Sequence, residues 1–169
     1  MPRTFTVSDG IVIRALPGEV YRRISDPARM GEWSPENLGA TVHGDRAARS
    51  GSVFDGRNKR GPLRWTTRCT VTAAEQDRLF RFRVHAFGFR QPRIPVALAT
   101  WEYRLEAVPE GTRVTETWTD DRRSWPYPVV QVFDRVATRG RTFAEFQRWN
   151  IRTTLHNLKA ALERPADPA

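Results

Sequence analysis

The sequence predicts an α+β fold in which an antiparallel sheet curves around one long C-terminal helix. Residues 142–163 form an amphipathic helical pattern, and residues 40–119 form short strand patterns separated by turn signals at about ten-residue spacing. Within those strands apolar and polar side chains alternate, so one sheet face is apolar and the other polar. A one-sided sheet needs a cover, and the final helix is the element that supplies it.

The elements follow one another in a simple order. Residues 5–16 predict a first strand, residues 19–25 a short helix, and Asp26-Pro27 the start of a turn or second short helix. Six further strands are expected over residues 40–43, 52–58, 63–72, 79–86, 99–107 and 112–119. Two connections are longer than a turn, residues 87–95 and 120–141, and the second contains a helical pattern over 129–137.

The C-terminal helix carries its own start signal. Thr142 and Glu145 have the spacing of a capping box, in which hydroxyl and carboxylate accept hydrogen bonds from two free backbone N–H groups. The helix would be about 33 Å long at 1.5 Å per residue. Its apolar line consists of Ala144, Gln147, Ile151, Leu155, Leu158 and Leu162. Phe146 and Trp149 fall on the opposite face, where we expect either a dimer contact or coverage by residues 129–137.

Composition limits the possible functions. A chain of 169 residues favours a single domain spanning 1–169, with a core over about residues 5–163. One cysteine and three histidines provide neither a disulfide nor a metal-ligand spacing, so we expect no metal and no other cofactor. Cys69 is expected to be a small buried side chain rather than a reactive thiol. No apolar run approaches the roughly 18 residues of a membrane span, so we expect no stable membrane insertion and a cytoplasmic location.

The formal net charge of +9 raises nucleic acid or an anionic membrane as partners. However, the basic residues are almost all arginines and are scattered along the chain. An arginine-rich composition explains this scatter better than a recognition element does, so no nucleic-acid partner is predicted. The tightest cluster, Arg57, Lys59, Arg60 and Arg64, is expected at a solvated hairpin tip, with a local anion site as the alternative.

Strand alternation places polar side chains on the helix-facing side of the sheet. Val114 must face inward, so Glu116 and Trp118 on the same strand face inward too. Burial of an unpaired polar group costs about 1–3 kcal/mol, so inward polar groups predict a wet or ligand-filled cavity rather than a solid core. The other inward or roofing polar residues are Asn58, Thr67, Tyr103 and Gln147.

Two alternatives stay open for these polar groups. Glu116 would need no cavity if it lay near the open end of the sheet, solvated or paired with Arg60. Gln147 would need none if it bonded a neighbouring carbonyl. If Glu116 is instead dry, burial should raise its pKa and make it a proton donor or acceptor.

Several short motifs accompany this order of elements: Ser25-Asp26-Pro27, Trp33-Ser34-Pro35-Glu36, Arg64-Trp65-Thr66, Thr100-Trp101-Glu102-Tyr103 and Thr115-Glu116-Thr117-Trp118. In order and spacing they resemble the SRPBCC (START-like, helix-grip) superfamily, and most closely its polyketide cyclase/dehydrase-like branch. The resemblance covers about residues 5–163. It implies a seven-stranded antiparallel sheet that grips the helix, with a hydrophobic cavity between them. It implies no single activity, because the superfamily includes lipid carriers, plant-hormone and allergen proteins, and aromatases/cyclases.

The resemblance also implies where the cavity opens. It places residues 33–36 and 87–95 near the mouth, which would make Trp33 and Phe89 gate residues; the alternative is that each packs on the domain's own surface. The predicted ligand-binding residues are Trp33, Phe54, Asn58, Trp65, Thr67, Phe82, Phe89, Trp101, Tyr103, Glu116, Trp118, Gln147 and Ile151.

Three functions are compatible with this sequence. The first is a small-molecule binding protein that holds a lipid, polyketide or aromatic ligand between sheet and helix. The second is a polyketide cyclase/aromatase or dehydratase-type enzyme, with Glu116 as acid/base and Tyr103 or Asn58 polarising a carbonyl. The third is a regulatory partner-binding protein, with Phe146 and Trp149 forming a homodimer contact.

Overall fold

Seven antiparallel strands form one sheet, in the order β1-β7-β6-β5-β4-β3-β2. The computed structural model describes residues 3–45 and 48–164, so both ends of the predicted 1–169 domain lie outside the described residues and that boundary stays a prediction. The strands are β1 Thr6–Ile13, β2 Asn37–His43, β3 Val53–Arg60, β4 Leu63–Glu75, β5 Leu79–Gly88, β6 Ile94–Val108 and β7 Gly111–Asp120.

The helices lie in two stretches of the chain, one between β1 and β2 and one after β7. Helix α1 (Pro17–Ile24) and a 3₁₀ helix (Pro27–Glu32) lead from β1 at one edge of the sheet to β2 at the other. Helices α2 (Tyr127–Ala137) and α3 (Phe143–Glu163) follow β7. The predicted α+β helix-grip architecture is therefore confirmed. Among the described residues, no helix has the length and apolarity that crossing a membrane requires.

Cross-strand pairing confirms the predicted inward row of the sheet. Tyr103 pairs with Glu116 and Trp101 pairs with Trp118 across β6 and β7. Phe82 of β5 pairs with Trp101. Residues directly opposite one another in an antiparallel pair share a face, so these side chains all face the helix. The inward-facing residues assigned to each strand from alternation are thus supported by its pairing with the neighbouring strands.

Helix α3 begins as the sequence predicts. Thr142 is its N-cap: the backbone N–H of Glu145 donates to Thr142 Oγ1 at 3.2 Å, and the backbone N–H of Thr142 donates to Glu145 Oε2 at 2.9 Å. The apolar line is buried at Ala144, Gln147, Ile151, Leu155 and Leu158 and partly buried at Leu162. One face of α3 therefore closes the sheet's inward side.

Polar contacts fix α3 lengthwise on its neighbours. Asn157 Nδ2 donates to the backbone carbonyl of Trp33 at 3.0 Å. Lys159 Nζ donates to the carbonyl of Val12 at 2.6 Å, and Arg152 pairs with Asp9 on β1 at 3.0 Å. These bonds tie the helix to β1 and to the end of the 3₁₀ helix.

The connection expected over residues 87–95 is shorter than predicted, because β5 and β6 extend into it. Only residues 89–93 lie between the two strands. A Cβ atom on Gly88 would stand 1.9 Å from the carbonyl oxygen of Gln91, so the chain turns back this closely only with glycine at that position. The hairpin therefore replaces the expected long loop.

Arg60 and Phe146, which the sequence places on outer faces, contact each other. The interpretation of the 57–64 cluster as a solvated tip is wrong for Arg60, whose side chain is largely buried and pairs with Glu36 at 2.5 Å. The Arg60 guanidinium also lies 3.9 Å from the ring centroid of Phe146 and donates to the carbonyl of Ala137 at the end of α2. Phe146 is thereby buried, whereas Trp149 is half exposed. A homodimer through these two residues stays a prediction.

The capping box predicts a stability effect of defined sign. Thr142→Ala should lower the free energy of unfolding by about 1 kcal/mol, because the backbone N–H of Glu145 loses the Thr142 hydroxyl as its acceptor and the Glu145 carboxylate loses the hydroxyl that helps to orient it. The matched control is Thr153→Ala in the middle of α3, where alanine is the better helix former and stability should stay equal or rise slightly. Urea denaturation of both variants measures the difference. Equal losses in the two variants would contradict the assigned cap.

Candidate ligand-binding cavity

A cavity of about 410 Å³ lies between the inward face of the sheet and the N-terminal half of α3. Its volume falls within the range of small-molecule sites, roughly 300–1,000 Å³. Every predicted binding residue except Ile151 lines it. Ile151 is fully buried in the hydrophobic core instead, so its assignment to the cavity wall was wrong.

The two predicted gate residues differ in depth. Trp33 is only 2 % exposed, and its ring meets that of Tyr103 edge to face with 6.0 Å between centroids. It therefore forms an inner wall and not an exposed gate. Phe89 is 68 % exposed in the β5–β6 hairpin, with its ring 6.0 Å from that of Phe87. A gating role for Phe89 stays a prediction.

The chemical centre of the cavity is the pair Tyr103–Glu116. Glu116 is 1 % exposed, and Tyr103 donates its phenolic proton to Glu116 Oε1 at 2.8 Å. Burial raises the pKa of Glu116 to about 8, although the hydrogen bond from Tyr103 offsets part of that shift. Burial and the neighbouring carboxyl raise the pKa of Tyr103 well above its ordinary value. At neutral pH Glu116 is therefore mainly a neutral carboxylic acid.

Neither Glu116 nor Gln147 makes the contact that would place it outside a cavity. Arg60 pairs with Glu36 and not with Glu116, and Glu116 lies far from solvent. Gln147 bonds a side chain and not a backbone carbonyl: Asn150 Nδ2 donates to Gln147 Oε1 at 2.9 Å, and both residues are buried. The solvated and Arg60-paired alternatives for Glu116 therefore do not fit, and its side chain is buried in the cavity wall.

Asn58 is occupied by its neighbours in the wall. Its Nδ2 donates to Thr67 Oγ1 and to the carbonyl of Gly56, each at 3.2 Å. Its Oδ1 accepts from Asn37 Nδ2 at 3.3 Å. Both N–H bonds of Asn58 are therefore already donated, as is the single O–H bond of Tyr103, so polarising a ligand carbonyl would require either residue to give up a bond it makes within the wall.

Three buried polar atoms of cavity residues have no hydrogen-bond partner among the described residues. They are Trp33 Nε1, Glu116 Oε2 and Asn150 Oδ1. Leaving such an atom unsatisfied costs about 1–3 kcal/mol. The fold carries this cost at three residues that line the same cavity, which is typical of a site that a polar molecule completes.

A buried arginine closes the cavity on the side of α2. Arg122 is 2 % exposed, binds Asp120 through two bonds of 2.9 Å, and reaches Asp134 of α2 at 2.7 Å. Its guanidinium carbon also lies 4.7 Å from the ring centroid of Phe143. Burial alone would raise the pKa of Asp120, but hydrogen bonds from Arg122 and Arg3 outweigh it and lower that pKa. The carboxylate therefore stays charged and holds Arg122 in place.

Comparison with known proteins identifies the family. A family model described as "Polyketide cyclase / dehydrase and lipid transport" matches residues 4–163. The chain belongs to this family. The predicted resemblance to a polyketide cyclase/dehydrase-like family is thereby confirmed. Among curated proteins, no sequence matches the chain.

Solved structures of other proteins share the fold of this family member. The Polyketide_cyc-like protein Cgl2372 from Corynebacterium glutamicum is 28% identical, with a TM-score of 0.56, over 96% of this chain and 92% of that one. A START superfamily protein from Mycobacterium smegmatis is 11% identical, with a TM-score of 0.66, over 95% and 98%. The di-domain ARO/CYC StfQ from the steffimycin biosynthetic pathway is 12% identical, with a TM-score of 0.67, over 94% of this chain and 50% of that chain.

Sequence reasoning missed part of the wall of this family member. Asn150 and Thr154 stand three and seven residues after Gln147, a helical spacing that places them near the same face and would have indicated them. Phe87 gave no such signal: a β-bulge between Val84 and Ala86 shifts the alternation and turns Phe87 into the cavity. The residues contributed by α2 and its flanks are Arg122, Phe133, Val136 and Ala137.

Other parts of the molecule offer less chemistry. Among the described residues, no cluster of three or more His, Cys, Asp or Glu side chains is placed to hold a metal ion. Burial raises the pKa of the Cys69 thiol to about 12, so it stays protonated as expected of an inert buried cysteine. A surface concavity of about 440 Å³ beside Tyr21 and Asp26 contains no buried lining residue. The cavity around Glu116 is therefore the stronger candidate site.

The raised pKa of Glu116 predicts a pH-dependent stability. Between its ordinary pKa of 4.5 and about 8, the folded state binds a proton that the unfolded state lacks. The contribution of Glu116 is thus greatest below about pH 4.5 and is lost as pH rises to 8, by up to about 1.4 kcal/mol per unit. Glu116→Gln should abolish this loss.

Urea denaturation between pH 5 and 8 measures the effect as a difference between wild type and variant. The free energy of unfolding of wild type relative to Glu116→Gln should fall as pH rises. Glu106→Gln, on the exposed face of β6, should give a difference that stays constant with pH. A constant difference for Glu116→Gln as well would show that Glu116 titrates normally.

Proposed function

We propose that this protein binds a hydrophobic small molecule in the cavity between the sheet and α3. The observation that carries the proposal is the cavity itself, which aromatic walls enclose around a few buried polar groups. A packed core would fill this volume with side chains.

The relatives are compatible with this proposal. The family description includes lipid transport as well as polyketide cyclase and dehydrase. StfQ is described as an ARO/CYC of a biosynthetic pathway. The family description names both transport and enzymes, so it supports binding of a lipid or polyketide without choosing between carriage and chemistry.

Filling the cavity should weaken ligand binding. Ala99 lines the cavity from β6, and Ala99→Phe places a phenyl ring in that space. With 9-fluorenone as the probe, we expect saturable quenching of tryptophan fluorescence in the wild type, because Trp33, Trp65, Trp101 and Trp118 all line the cavity. The dissociation constant should rise by at least about tenfold in Ala99→Phe, equivalent to about 1.4 kcal/mol.

The matched control places the same ring outside. Arg104 lies on the solvent side of β6, so Arg104→Phe should leave the affinity unchanged. Circular dichroism and thermal unfolding establish that both variants are folded. A folded Ala99→Phe protein that binds 9-fluorenone as tightly as the wild type would place the probe outside the cavity and contradict the proposal.

A second candidate function is acid/base catalysis by Glu116, which the Tyr103–Glu116 hydrogen bond favours. A buried carboxyl with a pKa near 8 exists in both forms close to physiological pH, as a general acid or base requires. Tyr103 donates one hydrogen bond to it and fixes its orientation. In this candidate function Glu116 transfers the proton and Tyr103 positions it.

A generic proton-abstraction probe tests this chemistry without a known substrate. With 5-nitrobenzisoxazole, the Glu116 carboxylate would take the proton from C3 while the N–O bond breaks and 2-cyano-4-nitrophenolate is released. We expect a rate that rises with pH around an apparent pKa of about 8. Glu116→Gln should lower it by about 10²-fold or more.

Two further variants make the assignment specific. Tyr103→Phe removes a hydrogen bond that lowers the pKa of Glu116, so the apparent pKa of the rate should move upward. Glu106→Gln should change nothing. A rate that survives in Glu116→Gln would assign proton abstraction to another group and remove this candidate.

A further inference from the structure

We propose that the ligand is an uncharged apolar molecule that carries both a hydrogen-bond-accepting oxygen and a hydroxyl donor, held by Trp33, Glu116 and Asn150. The inference rests on the proposed binding function and specifies the chemical class of the ligand. Its basis is the set of three buried polar atoms without partners among the described residues, each on a different structural element.

Trp33 requires an acceptor. An indole N–H can only donate, and Trp33 is almost fully buried at the end of the 3₁₀ helix. Its ring touches that of Tyr103, which in turn bonds Glu116, so its N–H belongs to the same region of the wall. A carbonyl or ether oxygen on the ligand is the group that would satisfy it.

Glu116 requires an acceptor as well. Its Oε1 already receives the proton of Tyr103, so in the neutral acid the carboxyl proton resides on Oε2. That atom has no partner within the described part of the chain. The acid therefore offers one O–H bond to a ligand oxygen, and a carbonyl is the acceptor that suits both this donor and an indole N–H.

Asn150 requires a donor. Its Nδ2 is used by Gln147, and its Oδ1 is buried without a partner in the described chain. An amide oxygen only accepts, so the matching ligand group is a hydroxyl or another neutral X–H group. Asn150 lies on α3 and Glu116 on the sheet, so donor and acceptor of the ligand would be separated across the cavity.

The charges around the cavity argue against an ionic ligand. Its two described cationic lining residues are already paired, Arg60 with Glu36 and Arg122 with Asp120 and Asp134. A ligand carboxylate would therefore be buried without a cation to pair with. A ligand cation would pair with Glu116 only in its ionised form, which burial disfavours.

One rigid skeleton with different substituents tests the inference. The probes are fluorene, 9-fluorenone, 2-hydroxy-9-fluorenone, 9-fluorenone-2-carboxylate and positively charged 9-aminofluorene. We expect affinity to rise about 5- to 10-fold from fluorene to 9-fluorenone and again to 2-hydroxy-9-fluorenone, one step for each hydrogen-bonding group. Both charged probes should bind more weakly than fluorene. Tryptophan quenching and calorimetry at pH 6.5 measure the constants.

Variants show which residue is responsible for each gain in affinity. The ratio of two probe affinities is compared within one variant, because a general loss of packing weakens both probes alike and leaves the ratio unchanged. Trp33→Phe and Glu116→Met should each reduce the preference for 9-fluorenone over fluorene. Glu116→Gln keeps a donor at this position and should retain that preference. Asn150→Leu should remove the advantage of 2-hydroxy-9-fluorenone over 9-fluorenone while leaving the first preference intact.

The outcomes separate this inference from the function on which it rests. Binding of fluorene as tightly as 2-hydroxy-9-fluorenone, or tightest binding by a charged probe, would overturn the inference and leave the binding function standing. Ratios that stay unchanged in Trp33→Phe, Glu116→Met and Asn150→Leu would also overturn it. Failure of every probe to bind the wild type would overturn the binding function itself, and the inference with it.

Discussion

The alternation of side chains along β7 is the constraint on which the interior depends. Val114 and Trp118 must be buried, so Glu116 between them is buried as well, whatever its ionisation costs. Among the described residues no cation pairs with this carboxylate, and burial raises its pKa to about 8, so the neutral form is favoured at neutral pH. The partner of Glu116 on β6, Tyr103, donates a hydrogen bond to its Oε1. The cavity is the space that this polar pair and its aromatic neighbours leave beneath α3.

Much of this arrangement was predictable from the sequence, because it follows from the alternation of side chains in strands and their spacing in helices. Strand alternation identified the inward faces, and pairing between neighbouring strands confirms them. The capping box located the start of α3, and the position of Gln147 on its apolar line indicated that the roof was not a solid core. Since these inferences use only local spacing, they do not require knowledge of how loops pack.

The remaining features depend on contacts between distant parts of the chain. The bulge that turns Phe87 inward is a departure from the alternation that sequence reasoning assumes. Arg60 looked like one more basic residue at a hairpin tip, yet it binds Glu36 and stacks on Phe146. Arg122 gave no signal at all, because its burial depends on Asp120 and on Asp134, which lies twelve residues away on α2. Buried charges of this kind are decided by tertiary partners rather than by composition.

The protonation state of Glu116 links the proposed ligand to the proposed chemistry. An uncharged molecule that fills the cavity would exclude water from the neighbourhood of the carboxyl, and deeper burial would raise its pKa above the value near 8 in the free protein. The bound state would then hold a proton donor at neutral pH, aimed at a ligand oxygen. Proton donation favours activation of a carbonyl or departure of a hydroxyl as water, whereas abstraction of a carbon-bound proton needs the ionised form. On this reasoning the same geometry that binds a neutral oxygenated ligand would make Glu116 an acid first and a base only at higher pH.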